Sequence, residues 1–399
     1  MSRIAYVSSY MGGTSGAGQS AVDVLIAILL ANNSVTVISN TGKRCRLPAQ
    51  VEGQIIPPPR WITPPRPFPK QVDRRFPHRL AGWFVNVIQD PFWARRLRQL
   101  GPPDLTVVNS FNQPLLDRVS QINPRLKSKT AIVVRGSPKE ATFQNVGLSV
   151  DWAVGVLGEY GYLIFVSSQC QQEWLTFPSL VGKKSFYIPN CCREDVAAHL
   201  MAQDRAQVRR RLGLPSSQFV AVCVASVQQR KGQDLLLDYF PAFLEVAPGL
   251  VMYLIGGIGS AWGRSLCQQI KASRLSDRLR VLGTKLNAMD YIRAADVLLL
   301  PSRAEAMPRV ILEAMALKTP VIASDVGGIL ELIEHGQSGL LFSHDEPTGL
   351  VDAFKQMADN PDLRRAFAER AQQRYWSNFS RAHHIKRCSQ ALKIMLTDD

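Results

Sequence analysis

The chain has 399 residues, of which 46% are apolar and 20% charged, with a formal net charge of +15. That length exceeds one ordinary core and fits two domains of roughly 200 residues, while no stretch reaches the roughly 18 uninterrupted apolar residues of a membrane span. The positive charge favours polyanions: nucleic acid, phosphorylated substrates or an anionic membrane face.

Arg3 to Tyr10 reads as a strand, Met11 to Gly18 as a glycine loop and Gln19 to Ala31 as a helix. Strand, glycine loop and helix open a nucleotide-type α/β domain. A strand that begins at Arg3 leaves no secretory signal ahead of it. The loop lacks G-x-G-x-x-G spacing from Gly12, and the next strand, Ser34 to Asn40, ends without an acidic residue. Both points argue against a dinucleotide site. The glycines instead let backbone approach some other ligand, because no Cβ stands in the way.

Residues 41–79 are rich in proline and arginine and read as a long surface excursion. Leu80, Trp83, Phe84, Val87 and Ile88 then recur at helical spacing, with arginines at 74, 75 and 79 before them and at 95, 96 and 98 after. Two readings stay open: a basic amphipathic segment on an anionic membrane face, or a core-facing helix of the α/β domain. Strands follow at Asp104 to Asn109, Thr130 to Arg135, Tyr162 to Val166 and Ser185 to Pro189, and the loop after Arg135 sits at a strand C-terminus, where α/β ligands bind. Residues 190–217 are polar and charged, including Arg209 to Arg211, and read as a connection between domains.

A second series begins with the strand Phe219 to Ala225, the loop Ser226 to Gly232 and the helix Gln233 to Phe243. Further strands are expected at Leu250 to Ile255, Arg278 to Leu282, Asp296 to Leu300 and Pro320 to Ser324. Five strands, each followed by a loop and a helical pattern, give a parallel doubly wound sheet. The loop and helix after Asp296 to Leu300 carry Glu305 and Glu313, eight residues apart, with Pro308 placed for a first helical position. A helix N-terminus beside a strand end is an anion site, and two carboxylates there suit the hydroxyls of a sugar nucleotide. Arg230 and Lys231 offer fixed cations for a diphosphate leaving group. The tail after Leu340 to Phe342 is helical.

The chain lacks D-x-D, H-E-x-x-H, G-x-S-x-G and P-loop signatures. Seven cysteines show no metal-type spacing and suit reduced cytosolic thiols. His383 and His384 are adjacent on a helix and read as surface residues. No metal ligand set and no nucleophile with its base emerge.

The C-terminal half resembles the retaining glycosyltransferase family 4, of the two-domain GT-B type. The matching runs are Ser226 to Gly232, Asp296 to Ser302, Glu305 to Ala316, Pro320 to Gly328 and Glu331 to Leu341. The resemblance implies an α/β fold of two Rossmann-like domains facing a cleft. The acceptor domain would span 1–195 and the donor domain 196–377, with the helix 378–399 crossing back to the first. It implies transfer of a sugar from a nucleotide-diphosphate donor to a hydroxyl acceptor, with lipid-linked and polysaccharide acceptors both open, with the anomeric configuration retained and no divalent metal. Glu313 would bind the donor ribose, Glu305 the transferred sugar and Lys231 the diphosphate. The backbone around Met307, Arg309 and Val310 would cover sugar and phosphate, beside Pro308, which has no N–H to give. The N-terminal half resembles the family more loosely, through Gly12, Gly13, Arg135 and Ile188 to Asn190; the two glycines would lie near the phosphates and acceptor.

Two departures touch the site. Ser226 stands where the family carries a phosphate-binding arginine, a role open to Arg230, and Arg135 stands where many members carry a histidine near the sugar. Localisation is expected in the cytoplasm; peripheral contact to an anionic membrane face follows only from the first of the two readings of 74–98. The alternatives are a sugar-nucleotide epimerase or phosphorylase of the same architecture, which the flanking motifs argue against, and a basic nucleic-acid-binding protein. Against the latter, the arginines are spread over many segments without an aromatic-basic repeat.

Overall fold

The computed structural model describes residues 2–8, 23–24, 28, 34–39, 55–56, 103–109, 125–138 and 150–398. The first sheet contains β1 (Arg3–Ser8), β2 (Ser34–Ser39), β3 (Ile55–Ile56), β4 (Leu105–Val108), β5 (Thr130–Val134), β6 (Tyr162–Phe165) and β7 (Lys184–Tyr187). Every side chain of β4, β5 and β6 is buried, as expected of parallel strands covered on both faces. The strand order is β3-β2-β1-β4-β5-β6-β7, with all neighbours parallel. Winding reverses between β1 and β4, which opens a crevice at their C-terminal ends.

The second sheet contains β8 (Val220–Val224), β9 (Val251–Ile255), β10 (Leu279–Gly283), β11 (Val297–Leu300), β12 (Val321–Ser324) and β13 (Leu340–Phe342), in the order β10-β9-β8-β11-β12-β13. It has one strand more than the five expected. Leu340 to Phe342 is only three residues long, too short for periodicity to register, and it becomes a strand by pairing with Ile322 to Ser324. Winding reverses between β8 and β11, where Val297 and Leu298 pair with Ala221 and Val222. The loops that leave these two strands therefore flank the switch point of the sheet.

Residues 190–217 run between the two sheets as folded, partly buried structure and not as a bare polar link. They form the helices Glu194–Met201 and Arg205–Arg211 and bury Cys191, Cys192, Leu200 and Val208. Arg209, from the basic run, is buried as well. Its Nη2 donates to Asp296 Oδ2 at 2.6 Å and its Nε to the Ala294 carbonyl at 2.7 Å. Asp296 also accepts from Arg205 Nη2 at 2.8 Å and from the Val220 N–H at 2.8 Å, so one carboxylate joins this helix to the start of β8 and β11.

After the helix Pro361–Asn378, Ser380 caps the helix Arg381–Thr397, accepting from the His383 N–H. This last helix lies against the first sheet. Asp398 receives the Tyr162 hydroxyl at 2.6 Å and pairs with Lys184. His384 is 3% exposed, and its Nδ1 lies 2.7 Å from the Pro189 carbonyl. The two histidines thus differ: His383 stays partly exposed beside Ser380, whereas His384, about 100° further round the helix, turns inward. Six cysteines are free and buried among the described residues. No described helix is long and apolar enough to cross a membrane. The segment 74–98 and the glycines Gly12 and Gly13 lie outside the described residues.

Candidate active site

Leaving β8, the chain forms a single 3-10 turn over Gln229–Lys231, closed by Gly232 at a φ of 65°. A side chain at Gly232 would be strained by that angle, and its Cβ would sit 1.8 Å from the Pro301 carbonyl oxygen. The glycine lets the loop after β8 lie directly on the loop after β11. The Arg303 N–H donates to the Arg230 carbonyl at 2.7 Å, and the Arg303 guanidinium donates to both Asp234 oxygens at 2.9 and 2.6 Å. The two loops are therefore fastened by backbone and by a bidentate ion pair.

This brings Lys231 and Arg230 onto Glu305. Lys231 Nζ donates to Glu305 Oε1, and Arg230 Nη1 lies 3.4 Å from Oε2 while donating to the Ala304 carbonyl at 2.6 Å. Ser302 Oγ donates to Oε1 at 2.7 Å. Glu305 is only 5% exposed. Burial pushes its carboxyl up, but Lys231 and Arg230, with the Lys231 and Ser302 hydrogen bonds, outweigh that and hold it below the ordinary value. It is an ionised carboxylate between two cations.

The turn after β12 closes over the same loop. The Gly328 N–H donates to the Glu305 carbonyl at 3.0 Å, and a Cβ on Gly328 would meet the Ala306 carbonyl at 1.7 Å. The helix begins at Arg309, with Pro308 as its cap at a ψ of 115°, one residue later than the sequence suggests. Ring closure fixes φ and leaves ψ free, so proline suits the cap as well as the first turn. Met307 and Pro308 are buried and Val310 is partly buried. The Glu313 carboxylate, one turn in, has no hydrogen-bond or ion-pair partner among the described residues. Burial raises its carboxyl above the ordinary value, with Arg309 and Arg193 pulling it back. Ser226 is exposed, and its carbonyl accepts from Gln233 Nε2 at 3.0 Å; Arg230, not Ser226, stands at Glu305.

Across the cleft the first sheet supplies Arg135, at the C-terminal end of β5, donating to Asn109 and to Asn190 Oδ1. Asn190 in turn donates to the Met307 carbonyl at 3.0 Å. Arg309 pairs with Asp23 at 2.6 Å, and Glu331 accepts the Gln169 N–H at 2.8 Å. The side chains of Ser302, Asp23 and Asn109 belong to the site, and none was singled out from the sequence. Ser302 lies three residues from Glu305, a local spacing that was available, whereas Asp23 meets Arg309 across 286 residues. Among the described residues no three His, Cys, Asp or Glu side chains form a metal-ion ligand set.

Residues 204–374 match the family of glycosyl transferases group 1. The matched part is the second sheet and its helices, the half that carries Lys231, Glu305 and Glu313. The chain is 34% identical over 172 residues to the lipopolysaccharide core biosynthesis mannosyltransferase LpsB of Rhizobium meliloti, over 41% of this chain and 49% of that one. It spans about half the length of the curated relatives it matches. Among solved structures, HepE of Anabaena in complex with UDP-glucose superposes with a TM-score of 0.74 at 19% identity, covering 98% of this chain and 100% of that one. Sucrose-phosphate synthase of Thermosynechococcus elongatus gives 0.77 at 17% identity, covering all of both chains. The fold is GT-B: two Rossmann-like sheets facing one cleft.

Proposed function

We propose that this protein is a retaining glycosyltransferase of the family 4 type. It moves a sugar from a nucleotide-diphosphate donor to a hydroxyl acceptor in the biosynthesis of a polysaccharide, glycolipid or other glycoconjugate. The observation that carries this reading is the convergence of Lys231 and Arg230 with Glu305 at the switch point of the second sheet. Breaking the sugar–phosphate bond leaves negative charge on the nucleoside diphosphate. Two cations already fixed by Glu305 and by the Ala304 carbonyl stabilise that charge without reorganising. Glu305 stays ionised and accepts hydroxyls of the transferred sugar, while Glu313 receives the ribose hydroxyls. The amides of Met307, Arg309 and Val310 face sugar and phosphate, beside Pro308. With Lys231 and Arg230 in place the reaction runs without a divalent metal, and a donor phosphate oxygen takes the proton of the acceptor hydroxyl.

The test is a panel of uridine, guanosine and adenosine diphosphate sugars, read by nucleotide release with and without acceptor, with the anomeric configuration of the product assigned by NMR. One donor class should turn over with retention. Release of no nucleotide from any of them, or epimerised donor as the product, sinks the reading.

Glu313 adds a pH dependence. Its carboxyl is raised by burial, so it gains its proton at higher pH than an ordinary carboxylate and then loses acceptor capacity. Donor KM should rise as pH falls through that raised value. Glu313→Gln should raise donor KM about 10- to 100-fold, the equivalent of one charged hydrogen bond, and flatten the acid limb. An unchanged acid limb in that variant removes Glu313 from donor binding.

A further inference from the structure

Arg135 is a charged side chain with no ion-pair partner among the described residues. Of its five N–H donors, three are engaged, and all three go to neutral amides: Nε and Nη2 to Asn109 Oδ1, and Nη1 to Asn190 Oδ1 at 3.2 Å. No carboxylate lies within ion-pair distance of it among the described residues. Asp23, the carboxylate that acts on it, is engaged by Arg309 at 2.6 Å. Burial and the neighbouring Arg309 pull the Arg135 guanidinium down to about 10. A partly buried guanidinium without a counter-charge is costly unless something else neutralises it.

The position decides what that something is. Arg135 lies at the C-terminal end of β5, beside the crevice of the first sheet, whereas Lys231, Arg230 and Glu305 all belong to the second. It is nevertheless close to the transfer site, because Asn190 accepts from Arg135 and donates to the Met307 carbonyl, two residues from Glu305. The donor diphosphate already has two cations of its own. We propose that Arg135 anchors an anion subsite in the acceptor half of the cleft, and that the hydroxyl acceptor carries a phosphate or carboxylate group which this guanidinium receives. The inference rests on the sugar-transfer reading for the word acceptor, but the anion subsite itself does not. A planar guanidinium with its Nε side pinned by Asn109 presents the fork that such anions bind bidentately.

The experiment titrates inorganic phosphate, and separately acetate, into the full chain at constant ionic strength, following intrinsic fluorescence and thermal unfolding. Wild type, Arg135→Gln, Arg135→Lys and Lys231→Ala are compared. Each is measured alone and saturated with the nucleoside diphosphate that the donor panel selects. Saturable phosphate binding should persist in the nucleotide-saturated wild type and in Lys231→Ala. It should weaken at least 10-fold in Arg135→Gln and recover in part in Arg135→Lys, with melting temperatures showing that each variant is folded. The comparison with acetate tells which anion the site prefers. If wild type shows no saturable anion binding, or Arg135→Gln binds as well as wild type, there is no subsite at Arg135. If nucleotide saturation abolishes the binding, Arg135 serves the donor and the assignment to the acceptor is wrong. A protein that binds no nucleoside diphosphate yet binds phosphate through Arg135 would defeat the transferase reading and leave the subsite standing.

Discussion

Lys231→Ala should lower kcat/KM for the donor by about 100- to 1000-fold, the range seen when one preorganised donor to a developing negative charge is removed. Lys231 is 15% exposed at the side chain and held by Glu305, so its ammonium is already placed when the donor arrives. The fold should survive the change. Glu305 keeps Arg230 and the Ser302 hydroxyl, and the loops on either side remain joined by the Arg303 contacts to Asp234 and to the Gln229 and Arg230 carbonyls. The effect should therefore fall on turnover and leave thermal unfolding near the wild-type value. Steady-state kinetics beside a melting curve separates the two. A variant with wild-type turnover would mean that the diphosphate is held elsewhere.

The second large effect is on stability. Asp296→Ala should cost about 3–5 kcal/mol, the range for removing one partner of a buried ion pair. Asp296 is 14% exposed at the side chain and satisfies Arg209, Arg205 and the Val220 N–H together. Alanine would leave Arg209, 10% exposed at its side chain, as an unpaired cation beneath the second sheet. A domain of this size loses roughly 2–4 °C of melting temperature per kcal/mol, so the shift should be near 10 °C or more. Asp296→Asn, which keeps an acceptor, should lie between. Donor kinetics at low temperature should stay close to wild type, because Asp296 begins β11 at the end opposite the loop that carries Glu305. A shift of only one or two degrees would show that Arg209 finds water or another partner.

The two sheets were legible because buried parallel strands are runs of apolar residues closed by glycine or proline, and eleven of the thirteen strands carry such a run or its alternating form. Ile55–Ile56 and Leu340–Phe342 are the two that no pattern announces: they become strands only through pairing with Val37 and Ile38 and with Ile322 to Ser324. The cluster on the second sheet was legible for a different reason. Glu305, Pro308 and Glu313 sit on one strand–loop–helix unit, so their spacing alone places them, and Lys231 follows from the matching unit one switch point away. What was not legible is everything that depends on contacts between distant segments. Arg209 reads as one of three surface arginines, and only Asp296, 87 residues on, shows why it is buried. His384 differs from His383 solely in which side of the last helix faces the first sheet. The first-sheet side of the cleft depends on Asp23, Asn109, Arg135 and Asn190 meeting there, and no local pattern joins them.

The central claim is that Lys231, Arg230 and Glu305 form the seat of the donor diphosphate. Calorimetric titration of the nucleoside diphosphate, with the matching monophosphate as control, tests it most directly. Wild type should bind the diphosphate at least 10-fold more tightly than the monophosphate, and Lys231→Ala should lose that preference while remaining folded. Equal preference for the diphosphate in wild type and in Lys231→Ala would contradict the account.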